Sequence, residues 1–314
     1  MNVKRMSTLA ILLLLAFVTA CGNSTTGGGA DDKARDKESD TRKYTSKHGT
    51  VNIPTHPQRI VAGGHLGSMI ALGVKPVGAV KEWEADSPFL AGKVDGITDI
   101  GDPHNLETIA ALNPDLIVLS AGEDMDSFSK IAPTVLIPYQ DLKTVDEQIT
   151  IIADLLGKQE EGKKWLDQFN QNAAEARQKV TAAIGEGRSA AIIGVMDGTI
   201  GVLGDRFGRG GQALYHVLQM AKPDKVQKLI DGDGTVEAIS LELLPEVTAD
   251  YLFVSSFNEN DPAKQEMMKS SIWKGLAPVK EQHVFELDHQ QFYFSDPVSI
   301  QGQLNLFVSM LTQK

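Results

Sequence analysis

The sequence is short of most things that would mark an enzyme or a metal carrier. It has one cysteine, Cys21, in 314 residues, so no catalytic thiol is available in the body of the chain. Its seven histidines (48, 56, 65, 104, 216, 283 and 289) are scattered, with no H-x-H or H-x-x-x-H spacing. Direct carriage of zinc or manganese, which needs clustered nitrogen, sulfur or carboxylate ligands, is therefore disfavoured. There is no G-x-S-x-G elbow, no H-E-x-x-H and no G-x-G-x-x-G after the first strand. Asp102-His104 and Asp288-His289 could be imagined as acid–base pairs, but nothing in the sequence orients them. A hydrolase or sensor built around a cleft is the remote alternative. Positive charge is also lacking: the net charge is −11, and a nucleic-acid binder needs a basic face. The apolar run Leu9 to Ala20 is too short for a membrane span, which takes about 20 residues.

What is present begins with an ordinary globular composition, 42% hydrophobic and 23% charged. Lys4 and Arg5, the apolar run and the small residues after it form a signal peptide over 1–20. The break Val18-Thr19-Ala20-Cys21 resembles a bacterial lipobox, in which the cysteine is lipidated and becomes the new N-terminus. The other reading is a plain secretory signal with an incidental thiol. Cleavage would remove two positive charges and take the net charge from −11 to −13. Residues 21–43 are glycine, serine, threonine and charge, with too little apolar surface to offset the entropy of ordering. They read as a tether with a reach on the order of 25 Å. The chain is thus expected to be exported and lipid-anchored to the outer face of the cell membrane.

From Tyr44 short apolar runs alternate with helical segments: RIVAGG, PVGAV, DLIVLS and TVLIPY read as strands, and Gly73 and Asn113 fall where helices should end. Between Val145 and Ile184 strand signals vanish. Trp165, Leu166, Phe169, Ala173, Ala176, Val180 and Ile184 form an apolar stripe at helical spacing, and Gly157 and Gly162 place the start of a long helix near Lys163. Alternation resumes after Arg188. The expected fold is α/β: two Rossmann-like lobes with mostly parallel central sheets, joined by one long helix, with a ligand cleft between them. The expected divisions are an N-terminal lobe over 44–160, a linking helix over 161–187 and a C-terminal lobe over 188–314. One unit is written twice. LETIAALNPDLIVLS (Leu106 to Ser120) and LELLPEVTADYLFVS (Leu241 to Ser255) share a Leu-Glu opening, an Asp eight residues after the Glu and a closing Ser.

The lipobox, the long middle helix and the twin Leu-Glu units together resemble the substrate-binding lipoproteins of ABC importers that have a helical backbone between lobes. PQRIVAGGHLGSMIALGVKPVGA, NLETIAALNPDLIVLS, SLELLPEVTADYLFVSS and SSIWKGLAPVKEQHVFELD carry the resemblance, which covers Gln58 to the C-terminus. The closest fit is the ferric-siderophore branch, with carriers of cobalamin, haem or ferric catecholates as alternatives. The resemblance implies a monomer that hands its ligand to a permease and its ATPase, with no enzymatic cofactor; ferric iron would be carried only inside the chelate. It further implies that Glu107 and Glu242, one on each lobe, dock against permease arginines. Each also follows a helix N-cap candidate, Asn105 or Ser240, where the helix dipole alone favours a carboxylate by about 0.3–1 kcal/mol.

A ferric siderophore calls for aromatic walls and a few Arg or Lys donors. GVLGDRFGRGGQALYHVL leaves a strand, turns through glycines and enters a helix, presenting Phe207 and Arg209 on the turn, with Arg206 a weaker neighbour. In the hydroxamate branch of the family such a turn contacts ligand. In HQQFYFSDPVSIQGQL, strand alternation would send Phe292 and Phe294 one way and Tyr293 the other, with Tyr293 toward ligand. Lys81 and Trp83 follow the strand Pro76 to Val80, and His65 follows the first strand, both at the ligand-facing end of an α/β sheet. An aromatic pair beside a single Arg favours a near-neutral hydroxamate over a highly charged catecholate. For each of these residues the alternative is an ordinary loop or core position.

Overall fold

The computed structural model describes residues 40–122, 125–206, 208–230, 236–258 and 260–313. Among these, twelve strands form a hairpin and two five-stranded sheets. β1 (Thr41–Ser46) and β2 (Gly49–Pro54) pair antiparallel. β3 (Ile60–Gly63), β4 (Gly78–Ala79), β5 (Thr98–Asp99), β6 (Leu116–Leu119) and β7 (Thr134–Leu136) form an all-parallel sheet in the order β5-β4-β3-β6-β7. β8 (Ala190–Met196), β9 (Thr199–Leu203), β10 (Val236–Ala238), β11 (Tyr251–Ser256) and β12 (Val284–Leu287) form the second, in the order β10-β9-β8-β11-β12. Here β8, β11 and β12 are parallel, but β9 and β10 run antiparallel. The two-lobed α/β expectation holds. The second sheet is less parallel than expected, because the turn at Asp197 and Gly198 folds β9 back as a hairpin.

The hairpin β1–β2 corrects the sequence reading. β1 begins at Thr41, inside the stretch read as tether. The Arg42 guanidinium explains this: it donates to the carbonyls of Asp154 and Leu155 and lies 5.4 Å over the Tyr44 ring. The long helix spans Gln159–Ile184 and starts earlier than Lys163. Gly157 does end the preceding helix, Val145–Leu156, in the left-handed region (φ 67°). Gly162 does not interrupt. It lies buried inside the long helix, where any Cβ would collide with Ala153, so its absent side chain lets the two helices approach closely. Gly73 and Asn113 sit in left-handed conformation just past two helix ends, as the sequence indicated.

Packing joins the lobes. One continuous core includes Leu66, Met69, Leu116 and Val118 of the first lobe and Ala190, Ile192, Phe253 and Leu287 of the second. The long helix contributes Phe169, Ala173, Ala176 and Val180, and the C-terminal helix Pro297–Thr312 contributes Ile300, Leu304, Phe307 and Leu311. Each sheet has a separate core on its other face. The C-terminal helix also ties the lobes by polar contacts. Ser299 meets Ser87 at 2.7 Å, both buried; Asn172 donates to Gln301 at 3.1 Å; and Gln148 donates to the Ser295 carbonyl at 3.1 Å.

The repeated Leu-Glu unit has a structural purpose. Asp115, just before β6, accepts from the N–H groups of Gln58 and Arg59 at 2.7 and 2.9 Å, just before β3. Asp250, just before β11, accepts from the N–H and hydroxyl of Ser189 at 2.8 Å, just before β8. In both lobes the same aspartate ties a central strand to its parallel neighbour.

Candidate functional site

The C-terminal ends of the parallel strands open on a cleft of about 410 Å³ between the lobes. Its first-lobe wall is built where β3 ends. His65 is the left-handed N-cap (φ 64°) of the short helix Leu66–Ala71. In place of a capping side chain from His65 itself, Glu84 reaches in from the π-type turn Lys81–Ala85. It accepts from the N–H groups of His65 (3.0 Å) and Leu66 (2.8 Å) and from the Tyr139 hydroxyl. This carboxylate joins the turn that carries Trp83 to the one that carries Tyr139. Burial raises Glu84 to about 8, its two backbone hydrogen bonds oppose that, and the nearby Asp296 carboxylate adds to it. Burial lowers His65 to about 4. Asp296 belongs to the C-terminal helix, where it caps the N–H groups of Val298 and Ser299 at 3.0 Å. It packs on Gly67, where any side chain would displace it.

The second-lobe wall is aromatic and cationic. Gly208, Arg209 and Gly210 all have positive φ, and the turn is tied at its base by Asp205, which meets Lys222 at 2.6 Å and His216 at 3.4 Å. Those contacts hold the Asp205 carboxyl well below the usual range. Arg209 is an L-residue at φ 51°, a conformation that costs of order 1–3 kcal/mol unless its surroundings hold it. They do: only 1% exposed, its guanidinium lies 3.8 Å over the Phe257 ring and 5.1 Å from that of Tyr293. Burial lowers Arg209 to about 10, so it stays charged at neutral pH. Phe257 and Tyr293 also contact His289, whose ring burial and Arg209 keep it from protonating readily.

Of the residues singled out in the sequence, His65, Trp83, Arg209 and Tyr293 are brought together on this cleft. The Trp83 and Tyr293 rings face each other across it at 6.1 Å. Lys81 and Arg206 are exposed and do not line it; the backbone N–H of Lys81 donates to Asp99. Phe207 and Cys21 lie outside the described residues. The alternation expected for residues 292–294 fails, because His289–Phe292 is a helical turn and not a strand. Phe292 is buried against Phe307, while Tyr293 and Phe294 both line the cleft. Glu107 and Glu242 are exposed in matching first turns. Asn105 caps the first turn through Thr108 N–H at 2.9 Å. Ser240 does not cap the second; its hydroxyl and the backbone N–H of Glu242 hold the Glu242 carboxyl below its ordinary value, the backbone contact being the larger cause.

Sequence reasoning missed Glu84, Tyr139, Phe257 and Asp296. A signal existed for two of them: Tyr139 closely follows β7 and Phe257 directly follows β11, the post-strand position that pointed to His65. Glu84 and Asp296 act as helix caps at a distance and carry no such signal.

Two α/β sheets sharing one cleft and bridged by a long helix define a two-lobed solute-binding protein. Residues 61–291 match the periplasmic binding protein family, and the chain belongs to it. It is 38% identical over 309 residues to the iron(3+)-hydroxamate-binding protein FhuD of Bacillus subtilis, covering 96% of each chain. It is 36% identical over 307 residues to the iron(3+)-hydroxamate-binding protein YxeB of the same organism, covering 97% of this chain and 95% of that one. Among solved structures, it is similar to a FhuD fold-family component of a Fep/Fec-like ferrichrome ABC transporter from Bacillus subtilis. That match has a TM-score of 0.77 and 36% identity, over 86% of this chain and 100% of the other. FhuD2 from Staphylococcus aureus with bound ferrioxamine B matches with a TM-score of 0.70 and 26% identity, over 81% of this chain and 97% of the other.

Proposed function

We propose that this chain captures a ferric hydroxamate siderophore outside the cytoplasm and delivers it to an ABC importer. One observation carries the reading. The large hydrophobic side chains exposed among the described residues are Trp83 (50%), Tyr139 (48%) and Phe257 (49%), and all three stand at this cleft or against the Arg209–Tyr293 wall that lines it. A monomer does not leave its bulkiest apolar groups open at one place without a partner for them. The buried Arg209 among them supplies donors for chelate oxygens. Iron is the cargo and keeps its siderophore ligands; among the described residues no group of three or more His, Cys, Asp or Glu could hold a metal ion.

The rest of the cycle follows from the family reading. Cys21 carries the lipid, and among the described residues no helix is long and apolar enough to cross a membrane. Glu107 and Glu242 dock the two lobes on the permease. The chain acts as a monomer. The lobes rock by small amounts, since both the long helix and the C-terminal helix join them. Titration of the full chain with a ferric trihydroxamate, a ferric tris-catecholate, cobalamin and haem, followed by tryptophan quenching, tests the assignment. Saturable quenching by the trihydroxamate alone is expected. Preference for any of the other three refutes it.

A further inference from the structure

The charges on the cleft wall are unequal. Among the described residues Arg209 is the sole lysine or arginine lining it, against the carboxylates Glu84, Asp102 and Asp296. The internal positions outside the description (123–124, 207, 231–235 and 259) hold no lysine or arginine either. Burial lowers His65 and His104, so neither adds positive charge at neutral pH.

Two of the carboxylates meet at one place. Glu84 and Asp296 flank the start of Leu66–Ala71, one from each side of the cleft. A third acceptor is beside them. His65 Nε2 lies 2.6 Å from the Ile137 carbonyl, which can only accept, so Nε2 carries the proton. In the neutral ring Nδ1 is then a bare lone pair, and it has no partner although His65 is only 2% exposed. Ser68, 1% exposed and lining the same cleft, likewise has a hydroxyl without a partner. Of the two Glu84 oxygens, Oε1 accepts two hydrogen bonds and Oε2 one, which leaves lone-pair capacity on Oε2. What this floor lacks is a donor, and what it holds in excess is negative charge.

We propose that the ferric complex taken by this cleft carries a cationic arm, a primary ammonium, seated against Glu84, Asp296 and His65, while its hydroxamate oxygens face Arg209. This rests on the siderophore reading above and goes further by fixing the charge of the ligand. Three monoanionic hydroxamates balance ferric iron, so the core is neutral and an ammonium arm makes the complex singly positive. The ammonium brings three N–H donors to acceptors that have room for them, and it relieves the repulsion between two neighbouring carboxylates. A triply negative tris-catecholate would meet those carboxylates with one arginine to offset them.

Ferrioxamine B and its N-acetylated form share one iron core and differ in that ammonium. Each is titrated into the full chain at neutral pH. The ammonium form should bind at least ~10-fold tighter, the scale of one partly screened ion pair. Glu84→Gln and Asp296→Asn should each shrink that ratio by at least half; Asn keeps an N-capping oxygen, so the helix start survives. Residual binding of the acetylated form reports an intact cleft in each variant, and a variant that fails to fold leaves the wild-type ratio to decide. Equal affinities for the two forms, or a ratio unchanged in both folded variants, overturns the proposal and leaves the hydroxamate reading standing. Failure of both forms to bind removes the two together.

Discussion

In the first lobe β3 runs directly into a helix, whereas in the second β8 turns back as a hairpin before any helix begins. Both lobes keep the same central pair, β3 with β6 and β8 with β11, pinned by Asp115 and Asp250 at their bases. They differ in what they deliver to the cleft. The direct connection brings a helix start whose donors are already taken by Glu84, so the first lobe offers acceptors and two aromatic side chains. The hairpin adds chain length, and that length becomes the turn that folds Arg209 over Phe257. A shared scaffold thus yields opposite chemistry on facing walls, because the variation lies in the connections and not in the strands.

The largest effect should come from the wall with the cation. Arg209→Ala should weaken ferric hydroxamate binding by ~100-fold, the loss of charge-assisted hydrogen bonds in a desolvated site. Arg209→Lys should recover little of it, since an ammonium cannot lie flat on Phe257. Trp83→Ala on the opposite wall should cost ~10-fold. Calorimetric titration of the three variants checks this order, and a larger loss at Trp83 than at Arg209 would invert the comparison. Next come the two pins. Asp115→Ala and Asp250→Ala each remove two charge-assisted hydrogen bonds and should each lower stability by about 2 kcal/mol, read from denaturant midpoints at constant slope. Unequal losses would show that the repeat is formal and not energetic.

A smaller effect appears in the pH dependence. Folded Glu84 keeps its proton up to about 8, against an ordinary 4.5, so the folded state binds more protons between those values. Stability should therefore fall as pH rises through that window. His65, lowered to about 4 from 6.5, acts in the opposite sense below 6.5. Between pH 6.5 and 8 Glu84 acts without that opposition, and Glu84→Gln should flatten the decline seen in wild-type melting curves. The smallest effect on the isolated protein is expected at Glu107 and Glu242. Both are exposed, and Glu→Ala at either should shift stability by less than about 0.5 kcal/mol and leave ligand affinity unchanged. Iron uptake by cells carrying the double variant should nevertheless collapse; normal uptake would remove their docking role.

The lobes, the long helix and most strands were legible because short β-rich runs and a 3.6-residue stripe are local signals. So were His65, Trp83 and Arg209, each placed by what precedes it in the chain. The exceptions share a cause. The antiparallel β9–β10 edge depends on a tight turn at Asp197-Gly198 that reads like any other loop. β1 is held by Arg42 reaching a helix end more than a hundred residues away. Phe292, Tyr293 and Phe294 look like an alternating strand until the Asp288 cap at 2.9 Å turns them into a helix. Glu84 and Asp296 matter through partners on other elements, and no window of sequence contains both ends of such a contact.

The tie between Ser87 and Ser299 spans 212 residues of chain. Asp296 and the helix after it complete the cleft floor that Glu84 and Leu66 began. Such distant pairings form late, since the loop entropy must be met before the contact stabilises anything. The first lobe can assemble its strands early, yet its share of the cleft stays unfinished until nearly the last residues arrive. Competence to hold a ligand is then a test of completeness. A truncated or half-exported copy keeps much of a lobe but no finished cleft, so it cannot withhold cargo from the intact molecules around it.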